Sequence, residues 1–127
     1  AGYFDGLGPR GLRGQQFTAV GYGDTEPAIG GGPPEWSGFG VRRVAVSSFN
    51  ALNNNWLRLS QNTHTGDAGT CYGDSGGPNF FGAGAGETSM IAGITSTGDA
   101  MCLATNTIYR VDTPSARAFL GQFVALP

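Results

Sequence analysis

In "CYGDSGGPNF", residues 71–80, Ser75 follows Gly73 and Asp74 and precedes Gly76 and Gly77. A serine that attacks a carbonyl needs backbone N–H donors aimed at the oxygen that becomes negative. A glycine two residues earlier can turn its N–H inward, in a conformation that a side chain hinders. Ser75 is therefore a candidate nucleophile, and Gly73 and Ser75 are the candidate oxyanion-hole donors. Gly76 and Gly77 allow close backbone approach. Asp74 lies between the two donors, and a buried carboxylate there needs a cation or several hydrogen bonds. The blander reading of the same residues is a glycine-rich turn capped by a serine.

A nucleophilic serine also needs a base. The chain has one histidine, His64, in the loop that leads to the serine. It reads as a surface-loop residue, with a role as substitute base the alternative. "GDSGG" also fits the G-x-S-x-G elbow of α/β-hydrolases, which requires a helix straight after the serine and a histidine later in the chain. Gly76, Gly77 and Pro78 start a helix poorly, and no histidine follows Ser75. Cys71 and Cys102 are too few for a zinc site, and one histidine does not complete it. No metal or cofactor is expected. The two cysteines are either buried thiols or one disulfide, which would close a loop of roughly thirty residues and add about 3–4 kcal/mol. A disulfide would imply an oxidising compartment.

The elements that must position these residues read as strands. The chain has 127 residues, which suits one domain with a real core. Charged residues are 13%, about half the usual ~25%, while apolar residues are 39%, so disorder is not indicated. The net charge is −2 and every basic residue is an arginine, with no basic stripe. Nucleic acid and anionic membrane are poor partner candidates. No apolar run approaches the ~20 residues of a membrane span. Residues 1–15 are glycine-rich and read as an arm. "QFTAVGYG" (16–23), "VRRVAVSSF" (41–49), "WLRLSQN" (56–62), "PNFF" (78–81), "TSMIAGITST" (88–97) and "NTIYRV" (106–111) read as strands. Residues 24–40 and 63–77 read as loops. At 113–125, Thr113 is placed as N-cap and Pro114 at the first helical position. Ala116, Phe119, Leu120, Phe123 and Val124 form a helical apolar stripe, expected to pack on the strands.

"GTCYGDSGGPNFF", then "MIAGITSTGDAMC" and "TIYRVDTPSARAFL", together resemble the C-terminal half of a trypsin-like (chymotrypsin-fold) serine protease. The resemblance runs from about Phe17 to Val124. It implies an all-β fold: an antiparallel six-stranded Greek-key barrel with a C-terminal helix, spanning 16–127 after an interdomain arm at 1–15. It implies that Cys71 and Cys102 pair. Ser75 matches the nucleophile, and Gly73 and Ser75 match the oxyanion donors. Asp74 matches the aspartate that receives a new N-terminal ammonium on zymogen cleavage. Ser96, Thr97 and Gly98 match the strand that pairs with substrate backbone and walls the primary specificity (S1) pocket. Gly69 matches the pocket floor, with Thr70 beside it.

The sequence departs from the family in two ways. Gly69 stands where specificity for basic residues needs an aspartate, and Asp67 and Asp99 are the nearby candidates to replace it. Thr97 stands where many relatives carry a tryptophan, which thins one pocket wall. The family's A-A-H-C-like segment and triad aspartate have no counterpart here. The resemblance thus implies a secreted endopeptidase acting on peptide or protein, with its base and orienting acid on a separate N-terminal β-barrel as partner. A non-enzymatic homologue serving as a binding or scaffold domain is the alternative, and an esterase-like hydrolase a weaker one.

Overall fold

A computed structural model describes residues 1–25, 27 and 30–127. The loop expected at 24–40 includes residues 26, 28 and 29, which lie outside the described residues. The elements run α1 (Tyr3–Gly11), β1 (Gln16–Gly21), β2 (Arg43–Leu52), β3 (Trp56–Ser60), β4 (Pro78–Phe81), β5 (Ile91–Gly98), β6 (Thr105–Arg110) and α2 (Pro114–Leu120). The strands close into one barrel in the order β1-β2-β3-β6-β5-β4. Every adjacent pair is antiparallel. The all-β, six-stranded barrel with a terminal helix is therefore the fold adopted.

Alternation sets which residues face inward. In β3, Leu57 and Leu59 are buried and Arg58 is exposed between them. In β6, Asn106, Ile108 and Arg110 point in while Thr107 and Tyr109 are half-buried. Phe17, Leu57, Leu59, Ala92 and Ile108 make the apolar core, with Phe49, Leu52, Phe81 and Met90 packed against it. Where β6 begins, the interior turns polar: the Asn106 side-chain amide donates to the Asn79 side-chain oxygen at 2.9 Å, and the Asn79 side-chain amide donates to the Thr95 hydroxyl at 2.8 Å. These bonds engage the two side-chain amide donors, while the Asn106 side-chain oxygen has no partner among the described residues.

Residues 1–15 are more than a featureless arm. Tyr3–Gly11 coils into short helical turns broken at Gly8 (φ 62°, ψ 175°). Phe4 and Leu12 are fully buried and complete the core. The helix is held from a distance. The Gly2 N–H donates to the Asp112 carbonyl at 2.8 Å. The Phe4 N–H donates to the Asp112 carboxylate at 2.9 Å. Arg110, wholly buried, grips both oxygens of that carboxylate at 2.9 Å and reaches Asp5 at 2.9 Å.

The C-terminal helix is shorter than 113–125 and its stripe does not pack on the barrel. Thr113 caps it, its hydroxyl accepting the Ala116 N–H at 3.2 Å, and Ala116 is buried. Phe119, Phe123 and Val124 are 61%, 71% and 55% exposed. Beyond Leu120 the N–H groups of Gln122 and Phe123 bond back to Phe119 and Leu120. The Val124 N–H still bonds to Leu120 and Phe119 lies within the helix, so the stripe beyond Ala116 faces solvent rather than the barrel.

Candidate active site

Ser75 sits in a tight turn between the end of a long loop and β4. Within this turn the Asp74 N–H donates to the Cys71 carbonyl (3.1 Å), Gly76 to Thr95 (2.9 Å) and Gly77 to Asp74 (2.9 Å). Among the described residues, the N–H groups of Gly73 and Ser75 find no acceptor, and the Ser75 hydroxyl makes no hydrogen bond. The amides of Cys71, Asp74, Gly76 and Gly77 are engaged, while those of Gly73 and Ser75, like that of Tyr72, have no acceptor among the described residues. Gly73 has φ +90°, a conformation that favours glycine, and a Cβ there would also displace the exposed Phe39 ring, 2.6 Å away.

Asp74 points away from this pair, into a clamp of backbone amides. Its carboxylate accepts from the Gly23 N–H at 2.8 Å and the Cys71 N–H at 2.9 Å. A Cβ at Gly21 or Gly23 would lie 1.9 Å or 2.6 Å from that carboxylate. The two glycines of "GYG" thus admit the side chain that anchors the turn from behind. This satisfies the need for hydrogen bonds noted above without any cation.

Beside Ser75 lies a cavity of about 360 Å³. Thr70, Cys71, Tyr72 and Gly73 form one side, Thr95–Gly98 the second, and Asp99, Ala100 and Cys102 the third. The Cys71–Cys102 disulfide, with Cα atoms 5.3 Å apart, ties the serine loop to the loop that follows β5. Thr70, Ser75, Ser96, Thr97 and Gly98 are therefore brought together. Gly69 is not among them. It backs onto buried Gln61, whose side-chain oxygen accepts the Thr70 N–H at 3.0 Å. A Cβ at Gly69 would come within 2.0 Å of that oxygen. Gly69 lines a neighbouring cavity of about 260 Å³, with Asp74, Gly21 and Gly23.

β5 also presents an edge. β4 pairs with it only as far as Ile94, and the last links are the two between Thr95 and the Gly76–Gly77 backbone. Ser96 falls at a bulge, and Thr97 and Gly98 pair with β6 on one side only. A free edge of this kind can accept an extended peptide as an added strand.

Both nearby carboxylates are already bound to donors of the chain itself. Asp99 lines the cavity, but its oxygens accept the N–H groups of Leu103 (3.0 Å), Ala104 (2.9 Å) and Thr105 (2.8 Å). Burial pushes its carboxyl up, and those donors outweigh it, leaving the pKa below the ordinary 3.8. Asp67 is buried and accepts the hydroxyls of Ser48 and Thr65. Its pKa is lowered likewise, burial being outweighed by those hydrogen bonds. His64 stands in an exposed 3-10 turn, Thr63–Thr65, and its ring makes no hydrogen bond among the described residues.

Tyr72 is the residue that reading the motif overlooked. Its hydroxyl donates to the Ala100 carbonyl at 3.0 Å and its ring meets Trp36 edge-on at 4.9 Å. It therefore ties two lining segments of the cavity together. The signal was available: an aromatic lies between the bridging cysteine and Gly73.

The Trypsin family model matches residues 12–119. The chain belongs to the trypsin family. No curated protein matches it. One barrel of six strands is consistent with half of the two-barrel architecture of that family. Among the described residues no helix is long and apolar enough to cross a membrane.

The disulfide closes a 31-residue separation. Replacing both Cys71 and Cys102 by serine should cost about 2–4 kcal/mol. Urea unfolding checks this, and an unchanged midpoint would show that the bridge adds nothing.

Proposed function

We propose that this chain is the C-terminal barrel of a secreted, trypsin-like serine endopeptidase. Ser75 attacks the peptide carbonyl, the N–H groups of Gly73 and Ser75 hold the oxyanion, and an acyl-enzyme forms on Ser75. The proton leaves to a histidine oriented by an aspartate, both on an N-terminal barrel that docks beside this one. The substrate backbone pairs along Ser96, Thr97 and Gly98, and its side chain before the scissile bond enters the cavity walled by Thr70 and Ser96. Asp74 fixes the donor turn, and the family's activation step acts through it. Residues 1–15 form the link between the barrels. The observation that carries this reading is the pair of unpaired N–H groups on either side of the Ser75 turn, at the mouth of a cavity bordered by a free strand edge. The disulfide supports an exported protein, since such bonds persist in oxidising compartments.

The cavity favours apolar or small side chains. A buried arginine or lysine would enter without an unengaged carboxylate, because Asp67 and Asp99 are each committed to donors of their own. The experiment is peptide cleavage by the two barrels together, mapped by mass spectrometry. Cleavage after apolar or small residues is expected. A strong preference for arginine or lysine would overturn the pocket reading, and no serine-dependent cleavage at all would favour a non-enzymatic binding domain.

A further inference from the structure

Three strands place a row of side chains on the outer face of the barrel. Arg58 on β3 lies opposite Thr107 on β6, and Thr107 lies opposite Thr97 on β5. Side chains at directly opposed positions share a face, so Arg58, Thr107 and Thr97 form one line that ends at the free edge of β5. A groove of about 450 Å³ follows this line, with Trp56 on its wall. Trp56 is held edge-on against Tyr109 at 5.2 Å. Thr97 lines this groove and also the cavity beside Ser75. The two spaces therefore lie on either side of one residue of the edge strand. Arg58 is exposed and meets no carboxylate among the described residues.

We infer that this groove is a second specificity site, which takes an acidic side chain of the peptide upstream of the scissile bond. The inference rests on the reading of β5 as the substrate-pairing edge. An added strand alternates its side chains between the two faces. If the residue before the scissile bond fills the cavity beside Ser75, the next one upstream faces the side of Thr97, and so does the fourth. An antiparallel peptide runs with its earlier residues beyond Gly98. Aspartate or glutamate at the second or fourth position then lies over the groove that Arg58 closes. A guanidinium holds a carboxylate through paired, charge-assisted hydrogen bonds. The Trp56 ring and the threonine methyls supply apolar cover for the carboxylate's own methylenes.

The test uses the two-barrel protein and peptides that differ only at the second or the fourth upstream position, bearing glutamate, alanine or lysine. The readout is the ratio of kcat/KM values within one enzyme preparation. Glutamate should exceed alanine by about fivefold at low salt for an ion pair at the protein surface, with lysine lowest, and the ratio should shrink above roughly 0.5 M salt. Arg58→Glu should invert the order of glutamate and lysine. A glutamate-to-alanine ratio near one at both positions would overturn the inference, as would an order that Arg58→Glu leaves unchanged. Cleavage of the alanine peptide that is lost on Ser75→Ala reports separately on the protease reading. If that cleavage never occurs, the protease reading fails and this inference falls with it.

Discussion

Replacing Arg110 by methionine should destabilise the barrel by about 3–5 kcal/mol, since removing one partner leaves the other buried charge unpaired. A domain whose stability is on the order of 5–15 kcal/mol would lose much of it. Long-range polar links converge on Asp112 and on Arg110, which holds it. Its guanidinium is wholly buried, takes both oxygens of Asp112, and also donates to the Asn53 carbonyl at 2.7 Å. Its pKa is raised, first by the hydrogen bonds to Asp112 and then, against the opposing effect of burial, by Asp5. Burial pushes Asp112 up, but the bonds from Arg110 and the Phe4 N–H prevail and hold it below the ordinary 3.8. A carboxylate depressed by folding contributes stability that is present above its unfolded value and lost as the pH falls through its folded one. The parent protein should therefore weaken below about pH 3.8, and Arg110→Met should show a smaller loss over that window. Asp5→Asn is the contrast. Its side chain is 61% exposed, so removing it should cost less than about 1 kcal/mol. Urea unfolding across pH measures all three. A parent-like midpoint for Arg110→Met would show that the buried pair contributes nothing.

The strands were legible because their alternation is local. Leu57 and Leu59 around Arg58, or Asn106, Ile108 and Arg110 in β6, carry the period of two in a few residues. The first helix was not legible, because what holds it lies elsewhere. Gly2 and Phe4 are bound by Asp112, more than a hundred residues on, and the little helical spacing in "AGYFDGLGPRG", Tyr3 and Phe4 to Leu7, is interrupted by Gly6, Gly8 and Pro9. The C-terminal stripe is misleading for the opposite reason. Its spacing is regular in the sequence, but periodicity does not say what covers a stripe, and the barrel covers Ala116 and leaves Phe119, Phe123 and Val124 exposed. At the candidate site, the glycines around Ser75 announced a special backbone. What they could not announce was the partners that engage Asp67 and Asp99, which belong to loops and strands whose approach only the folded barrel defines. The same holds for Gln61, which stands behind Gly69 and keeps a side chain from that position.

Alone, the chain should be nearly inert. A serine hydroxyl without an adjacent base is a weak nucleophile at neutral pH, and His64 is exposed in its own turn with no bond to Ser75. Loss of triad members costs several orders of magnitude in rate. The exposed rings of Phe119 and Phe123, 5.3 Å apart, with Val124 beside them in the chain, also leave an apolar patch that seeks cover. The lone chain should therefore self-associate, and docking of a second barrel should relieve this.

The measurement that bears most directly on the protease reading is labelling of Ser75 by a fluorophosphonate probe, with the modified residue located by peptide mass spectrometry. The chain alone should label negligibly. Adding the N-terminal barrel proposed as its partner should raise the rate by at least about a thousandfold, place the label on Ser75, and yield a one-to-one complex. Rapid labelling of Ser75 in the lone, monomeric chain would contradict the account and point to His64 as its base. Absence of labelling in the assembled pair would contradict it from the other side.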